Sequence, residues 1–350
     1  MIYRSLPLQI EKLKRNFRWH DWAIDKIPML FSICFYLILI NGRSSGKNLF
    51  DFFMFLVYSL SSTIYGYTVN NFADLKIDAA QGKENFLLEV SRSRRRIIVW
   101  SLALISLLSG FYFIDRPYFY ILWISQFFIA TFYSLPPLRF KEKGTLGLIV
   151  PFFAQLVLPT LICFAIFGQI NSMACLLFMI YAVFKGGAYD IGHQFHDHRR
   201  DTQTDTKTFA VQHGHQSVLL LFRTFLILER ITFILITYYL YKNCTITFTE
   251  YHLNPFAFIL IVYIIIFLAV VLQEIKIKKI SDPYYLDTRG LSNILHVILP
   301  NIIFPLVLAF LLLMLDLKYL VLVLFFIVWI FPTPSKLKWP IQTMFKWITK

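Results

Sequence analysis

The sequence predicts an all-α, polytopic membrane protein with nine or ten transmembrane helices. Hydrophobic residues make up 57% of the chain and charged residues only 15%, whereas soluble domains are nearer ~25% charged. The mean hydropathy is +0.61, and long apolar runs alternate with short basic loops. These three observations exclude an ordinary soluble fold.

Apolar runs of about 15 to 25 residues are long enough to cross a bilayer as helices. The predicted spans are 25–41, 48–70, 96–114, 117–136, 146–168, 172–192, 216–240, 254–273, 293–315 and 318–332. The last run is short enough to be re-entrant or interfacial, so the count is nine or ten. The transmembrane domain is therefore expected to cover residues 21–335.

Basic residues mark the parts of the chain that flank this domain. Residues 1–20 mix Lys and Arg with aromatic and aliphatic side chains, which predicts an amphipathic segment lying on the membrane surface. They lack the short apolar core and small-residue cleavage site of a signal peptide. Residues 336–350 form a basic tail, predicted to be cytoplasmic.

The net charge of +14 comes mostly from loops on one side of the predicted topology. The loop after the second span alone contains Lys76, Lys83 and the basic run 92–96. Such asymmetry places both ends of the chain and these loops in the cytoplasm, and we expect a multi-pass protein of a bacterial inner membrane. The basic runs are interrupted by apolar spans, so the partner is the lipid bilayer and not nucleic acid. The four cysteines form no C-x-x-C pair, which suggests neither a disulfide framework nor a zinc site.

Two acidic stripes follow the second and sixth spans. Residues four apart lie on one face of a helix, so Asn70, Asp74 and Asp78 form one stripe. The second stripe consists of His193, Asp197, Asp201 and Asp205, and its first three positions follow those of the first stripe at a constant offset. This weak repeat predicts two pseudo-repeated four-helix units around a central cavity, with the two stripes facing each other on the cytoplasmic side.

Carboxylates on two opposed helix ends can hold divalent, oxygen-preferring cations. Mg²⁺ takes one or two carboxylates and completes its coordination with water and substrate phosphate. Basic residues near the stripes can neutralise a departing diphosphate; they are Lys76, Lys83, Arg139, Lys141, Arg199, Arg200 and Lys207. A diphosphate handled at a membrane implies a substrate with a lipid tail. Asp190, His193 and His196 lie beside the second stripe and are candidate general bases.

Three ordered motifs resemble those of the UbiA-type intramembrane prenyltransferases. N-N-F-A-D-L-K-I-D at 70–78 is similar to the first aspartate signature of that family, and D-H-R-R-D-T-Q-T-D-T-K-T at 197–208 to the second. Y-S-L-P-P-L-R-F-K at 133–141 is similar to the segment after the family's fourth helix. The chain departs from the pattern at Asn71, at Asp205, and at G-K-E-N-F (82–86), where many members have Arg-Pro.

The resemblance implies a Mg²⁺-dependent transfer of a prenyl group from an allylic prenyl diphosphate to a lipophilic or aromatic acceptor. The implied metal ligands are Asn70, Asp74, Asp78, Asp197 and Asp201. The implied substrate-binding residues are Asn71, Lys83, Tyr133, Arg139, Lys141, Arg200 and Lys207. Asp190 and His193 are the candidates for removing the acceptor's proton.

Two other functions remain open at this point. The same fold can carry phosphoribosyl transfer to a polyprenyl phosphate, and the carboxylates can instead couple cation flow in a transporter. Several ionisable residues also lie inside spans. Lys185 is either functional or snorkels to the interface, the group Arg223, Glu229 and Arg230 is expected to pair structurally, and His296 is expected to cross-link helices.

Overall fold

The computed structural model describes residues 11–41, 46–203, 208–244, 254–277 and 290–330, except the side chains of 199, 200 and 277. The helices in chain order are α1 Trp19–Trp22, α2 Ile27–Ile40, α3 Gly46–Ala73, α4 Leu75–Gln81, α5 Arg92–Gly110, α6 Phe119–Ser134, α7 Thr145–Phe152, α8 Leu158–Ile166, α9 Met173–Gln203, α10 Phe209–Asn243, α11 Pro255–Ile277, α12 Leu291–Asn293, α13 Phe304–Leu315 and α14 Leu320–Ile330. Short 3-10 turns lie at Phe86–Glu89, Phe111–Phe113, Phe140–Glu142 and Leu317–Tyr319, and π-helical turns at Phe153–Val157 and Ile294–Ile303.

The all-α, polytopic prediction is confirmed. Among the described residues there is no strand, only an isolated bridge between Gly144 and Thr208. Within the ranges given above, six helical stretches are long and apolar enough to cross a membrane: Gly46–Ala73, Arg92–Phe113, Thr145–Ile166, Met173–His198, Pro255–Lys276 and Leu291–Leu315. The same ranges contain three shorter apolar helices, Ile27–Ile40, Phe119–Ser134 and Leu317–Ile330. Every predicted span thus overlaps a helix. The predicted span 216–240 lies in α10, which is not among the stretches just named.

The chain forms two compact units whose boundaries cut through α9 and α10. The first comprises Met1–Ala23, Gly46–Ile170 and Tyr189–Leu219, and the second comprises Ile24–Ser45, Asn171–Ala188 and Leu220–Lys350. The end of α9 after Ala188 therefore belongs to the first unit. Both acidic stripes lie in this unit, although the sequence repeat had assigned them to different halves.

In the first unit, α3 packs against α5 and α6 through small and aromatic side chains. The Tyr65 and Phe127 rings stack with centroids 5.0 Å apart, and the Tyr65 hydroxyl lies 2.8 Å from Thr131 Oγ1. Ser61 and Ser62 of α3 hydrogen-bond serines of α5 at 3.0 Å. Small and hydroxyl side chains let membrane helices approach closely. This packing fixes the end of α3, with the first stripe, beside the end of α6.

The second unit contains a buried group of ionisable side chains. Lys185 Nζ lies 3.4 Å from Glu229 Oε1 and donates to the His296 carbonyl at 2.7 Å. Glu229 Oε2 lies 2.6 Å from His296 Nδ1. Arg230 pairs with Glu274 at 3.5 Å and donates to Ser292 Oγ at 2.9 Å. His296 therefore cross-links helices as expected, whereas Glu229 and Arg230 find their partners on other helices, not on each other.

Candidate active site

The first stripe lies where α3 passes into α4. The Asp74 N–H donates to the Asn70 carbonyl at 3.1 Å, and the Asp78 N–H donates to the Asp74 carbonyl at 2.8 Å. These bonds continue the helical i to i−4 pattern through the junction at Asp74. Asn70, Asp74 and Asp78 consequently share one face, as the spacing predicts.

A glycine turn brings the following loop back onto this stripe. Gly82 has a φ of 62°, in the left-handed region that glycine adopts without a steric penalty. The Asn85 side-chain amide then donates to Asp78 Oδ2 at 2.8 Å and to the Asn71 carbonyl at 2.7 Å. Its Oδ1 accepts from the Leu87 N–H at 3.1 Å. Asn85 is buried, so one amide fixes the loop to both the carboxylate and the helix.

The loop after α6 supplies the cations beside the stripe. Lys141 Nζ lies 2.5 Å from Asp74 Oδ1 and 3.2 Å from Asn70 Oδ1. Arg139 Nη2 lies 3.6 Å from Asp74 Oδ1, and Ser134 Oγ donates to Asn70 Oδ1 at 2.8 Å. Burial lowers the pKa of Lys141, and the hydrogen bond and charge of Asp74 only partly offset this effect. Lys141 is thus a desolvated cation held by its carboxylate partner.

A close backbone approach keeps this loop in place. A Cβ at Gly147, in α7, would lie 2.7 Å from the Lys141 carbonyl oxygen, a distance that no side chain tolerates. The absence of a side chain therefore lets the start of α7 pack directly against the loop that carries Lys141.

The stripe lines a polar cavity of about 550 Å³ within the first unit. The lining residues are Arg15, Asn16, Arg18, Asn70, Asn71, Asp74, Asp78, Lys83, Glu84, Asn85, Phe86, Glu89 and Asp197. Carboxylates from both stripes therefore reach one cavity. Basic side chains from the N-terminal segment and from the loop after α4 line the same space.

The second stripe is only partly in this cavity. Asp197 lines it, whereas Asp201 is half-buried and is not among the lining residues. The Arg200 side chain, Asp205 and Lys207 lie outside the described part of the chain. Thr208, the last residue of the second motif, bridges to Gly144, which lies in the loop carrying Lys141.

The predicted base residues and Tyr133 lie close to the stripes but do not line the cavity. Asp190 and His193 are on α9, and the His193 ring contacts the Tyr189 ring at a centroid distance of 4.4 Å. Tyr133, near the end of α6, is half-buried within electrostatic range of Asp190 and Asp74. Whether Asp190 or His193 acts as a base stays a prediction.

The donor atoms in this cavity suit a hard divalent cation. Amide and carboxylate oxygens of Asn70, Asp74, Asp78 and Asp197 are the ligand types that Mg²⁺ prefers. Within the described residues no three His, Cys, Asp or Glu side chains are grouped closely enough to hold a metal ion. Asp74 is instead held by Lys141, so the oxygen chemistry fits Mg²⁺ while the pairing of Asp74 has to change on binding.

Several cavity residues were not predicted as part of the site. Arg15, Asn16 and Arg18 come from the segment assigned to the membrane surface, and Asn85 comes from the loop that departs from the family pattern.

Arg18 donates to Asp21 Oδ2 at 2.7 Å and places its guanidinium carbon 5.1 Å from the centroid of the Tyr67 ring. This segment lies beside the loop, where Lys12 pairs with Glu89 at 3.4 Å and Arg15 with Glu84 at 3.8 Å on the exposed surface. The signal available in the sequence was the basic composition of residues 12–18.

These features define a multi-pass, all-helical membrane protein with a polar cavity at its helix ends that carboxylate and basic side chains line. The chain belongs to the UbiA prenyltransferase family, whose model matches residues 29–286.

Solved structures show the same fold. A UbiA homolog from Archaeoglobus fulgidus aligns with a TM-score of 0.55 and 16% identity, over 86% of this chain and 98% of that one. The homolog bound to GPP and Mg²⁺ aligns with a TM-score of 0.56 and 16% identity, covering 84% and 98% of the two chains. The form bound to DMAPP and Mg²⁺ aligns with a TM-score of 0.57 and 14% identity, and it also covers 84% and 98% of the two chains. No curated protein matches the chain.

Proposed function

We propose that the protein transfers a prenyl group from an allylic prenyl diphosphate to a lipophilic or aromatic acceptor, in a Mg²⁺-dependent reaction. The observation that carries the proposal is that Asp74, Asp78 and Asp197 line one cavity together with Arg15, Arg18 and Lys83. Family membership and the Mg²⁺ and prenyl diphosphates bound by the archaeal homolog support it.

The chemistry separates a charged leaving group from an allylic cation. The bond between the allylic carbon and the bridging oxygen breaks, and diphosphate leaves with both electrons. The acceptor forms a new bond to that carbon and loses a proton. Mg²⁺, when held by Asn70, Asp74, Asp78, Asp197 and Asp201, supplies charge neutralisation for the diphosphate.

The protein's own cations share in this neutralisation. Lys83, Arg139, Lys141, Arg200 and Lys207 are proposed to bind diphosphate oxygens, because charge-assisted hydrogen bonds to phosphate are strong in a water-poor site. Asn71 and Tyr133 are proposed to position the donor. Asp190 or His193 is proposed to accept the proton from the acceptor.

The test is transfer of label from tritiated geranyl diphosphate into an organic-extractable product. Purified protein is mixed with membrane lipid extract and Mg²⁺. We expect Asp78→Asn and Asp197→Asn each to reduce transfer by about 10²-fold or more, since each removes charge from the cavity. Asp316→Asn, which changes a carboxylate of the second unit, is the matched control and should retain activity. Full activity in both cavity variants at saturating Mg²⁺ would contradict the proposal.

The same preparation separates the alternatives. Incorporation of label from phosphoribosyl diphosphate into polyprenyl phosphate, without prenyl transfer, would favour the phosphoribosyl function. Cation uptake into proteoliposomes without chemical turnover would favour a transporter.

A further inference from the structure

The two carboxylates that end the first stripe have different partners. Asp74 Oδ1 lies 2.5 Å from Lys141 Nζ and 3.6 Å from Arg139 Nη2, so it is paired with two cations. Asp78 Oδ2 accepts from the neutral amide of Asn85 at 2.8 Å. No ion pair reaches Asp78 from any residue the structure describes.

This difference determines which partner a divalent cation has to displace at each carboxylate. A metal that binds Asp74 has to displace an ammonium that is itself largely removed from water, and charged hydrogen bonds of this kind are costly to break. Asp78 has only a neutral amide as its side-chain partner among the described residues. One of its oxygens is fixed by Asn85, and the other accepts no hydrogen bond from the described residues.

Asn85 is built to hold Asp78 in one orientation. The residue is 6% exposed, and its side chain hydrogen-bonds Asp78, the Asn71 carbonyl and the Leu87 N–H at 2.7 to 3.1 Å. Partners of this kind, which orient a ligand without touching the metal, commonly change metal affinity by about 10- to 100-fold. Asn85 is therefore a positioning residue.

We propose that the two carboxylates take up divalent cations in order. Asp78, oriented by Asn85, binds a cation in the absence of the donor. Asp74 binds a cation only when the diphosphate draws Lys141 away. Lys141 then pairs with the diphosphate in place of the Asp74 carboxylate. This inference rests on the proposed function, because it assumes that a diphosphate enters the cavity.

Such an exchange makes the binding of donor and of metal mutually dependent. Donor increases the affinity for metal at Asp74 because it takes over Lys141, and by linkage metal at Asp74 increases the affinity for donor by the same factor. The coupling is expected to disappear when residue 141 carries no charge.

The test measures Mn²⁺ binding to the purified full-length protein by electron paramagnetic resonance, with and without geranyl diphosphate. Lys141→Met is expected to tighten the weaker, Asp74-associated Mn²⁺ binding about tenfold without donor. It should also abolish most of the strengthening that donor produces. Lys83→Met is the matched control, because it removes the same charge from a residue that lines the cavity but is not the partner of Asp74. Its effect on donor-free Mn²⁺ binding should be several-fold smaller.

A second variant tests the role of Asn85. Asn85→Leu keeps a similar volume but cannot donate to Asp78, so the tighter donor-free Mn²⁺ binding should weaken about tenfold. Asn85→Gln, which retains the amide, should keep part of the wild-type Mn²⁺ affinity that Asn85→Leu loses. If Lys141→Met fails to fold, Lys141→Gln replaces it in the same assay.

The outcomes distinguish the inference from the function on which it rests. If the wild-type protein transfers prenyl groups but Lys141→Met and Lys83→Met change donor-free Mn²⁺ binding equally, the ordered uptake is wrong and the function stands. Unchanged Mn²⁺ binding in Asn85→Leu would also overturn the inference. If the wild-type protein neither transfers label nor binds Mn²⁺ more tightly with donor, the proposed function fails and the inference fails with it.

Discussion

Replacing Lys185 with methionine is expected to destabilise the second unit by about 3 kcal/mol. The side chains of Lys185 and Glu229 are only 2% and 1% exposed, with 3.4 Å between Nζ and Oε1. Removal of one partner from a buried ion pair typically costs about 3–5 kcal/mol, because the other charge is left uncompensated. Since Glu229 keeps its 2.6 Å contact with His296, the lower end of this range applies.

The assay is equilibrium unfolding in mixed detergent micelles, followed by circular dichroism. Lys318→Met is the matched control within the same unit. Lys318 lies 2.9 Å from Asp316, closer than the buried pair, but both side chains are about a third exposed. Solvent screens such a pair, so its loss should not change the midpoint measurably.

The double variant Lys185→Met/Glu229→Gln tests whether the two charges stabilise the unit as a pair. It removes both charges, so it should be less destabilised than the sum of the two single variants. The reasoning is refuted if Lys185→Met loses no more stability than Lys318→Met, or if the single effects simply add.

Two further predictions concern packing and a second ion pair, each measured by the same unfolding titration. Asp51→Asn should destabilise the first unit by about 1–3 kcal/mol, because Asp51 is buried and lies 2.9 Å from Arg116 Nη2; equal stability would mean that the pair contributes nothing. Gly187→Ala should cost about 1–3 kcal/mol, because the added Cβ would lie 2.2 Å from the Phe225 ring. Gly66→Ala, whose added Cβ would meet another Cβ at an ordinary 3.9 Å, should be close to neutral by comparison.

The helices and the first stripe could be predicted because they depend on local patterns. Long apolar runs locate the spans, and a spacing of four puts Asn70, Asp74 and Asp78 on one face whatever the rest of the chain does. The same argument places Asp197 on the second stripe, and the structure adds that this residue lines the shared cavity.

The partners of those residues could not be predicted, since they depend on where the chain turns back. Asn85 reaches Asp78 only because the backbone reverses at Gly82. Arg18 reaches the cavity because the N-terminal segment lies beside the loop after α4, a placement that has no sequence signature. The pairing of Glu229 with Lys185 and His296, not with the adjacent Arg230, is likewise set by packing between helices.

The buried group around Lys185 also constrains how the protein is made. Lys185 precedes Glu229 by 44 residues and His296 by 111. At a synthesis rate of about 5–20 residues per second, the lysine leaves the ribosome roughly 2–9 s before the carboxylate that neutralises it. A lone lysine at the centre of a helix opposes membrane insertion by about 2.5–3.5 kcal/mol. Insertion of α9 and α10 as a pair, after both have been synthesised, removes that cost.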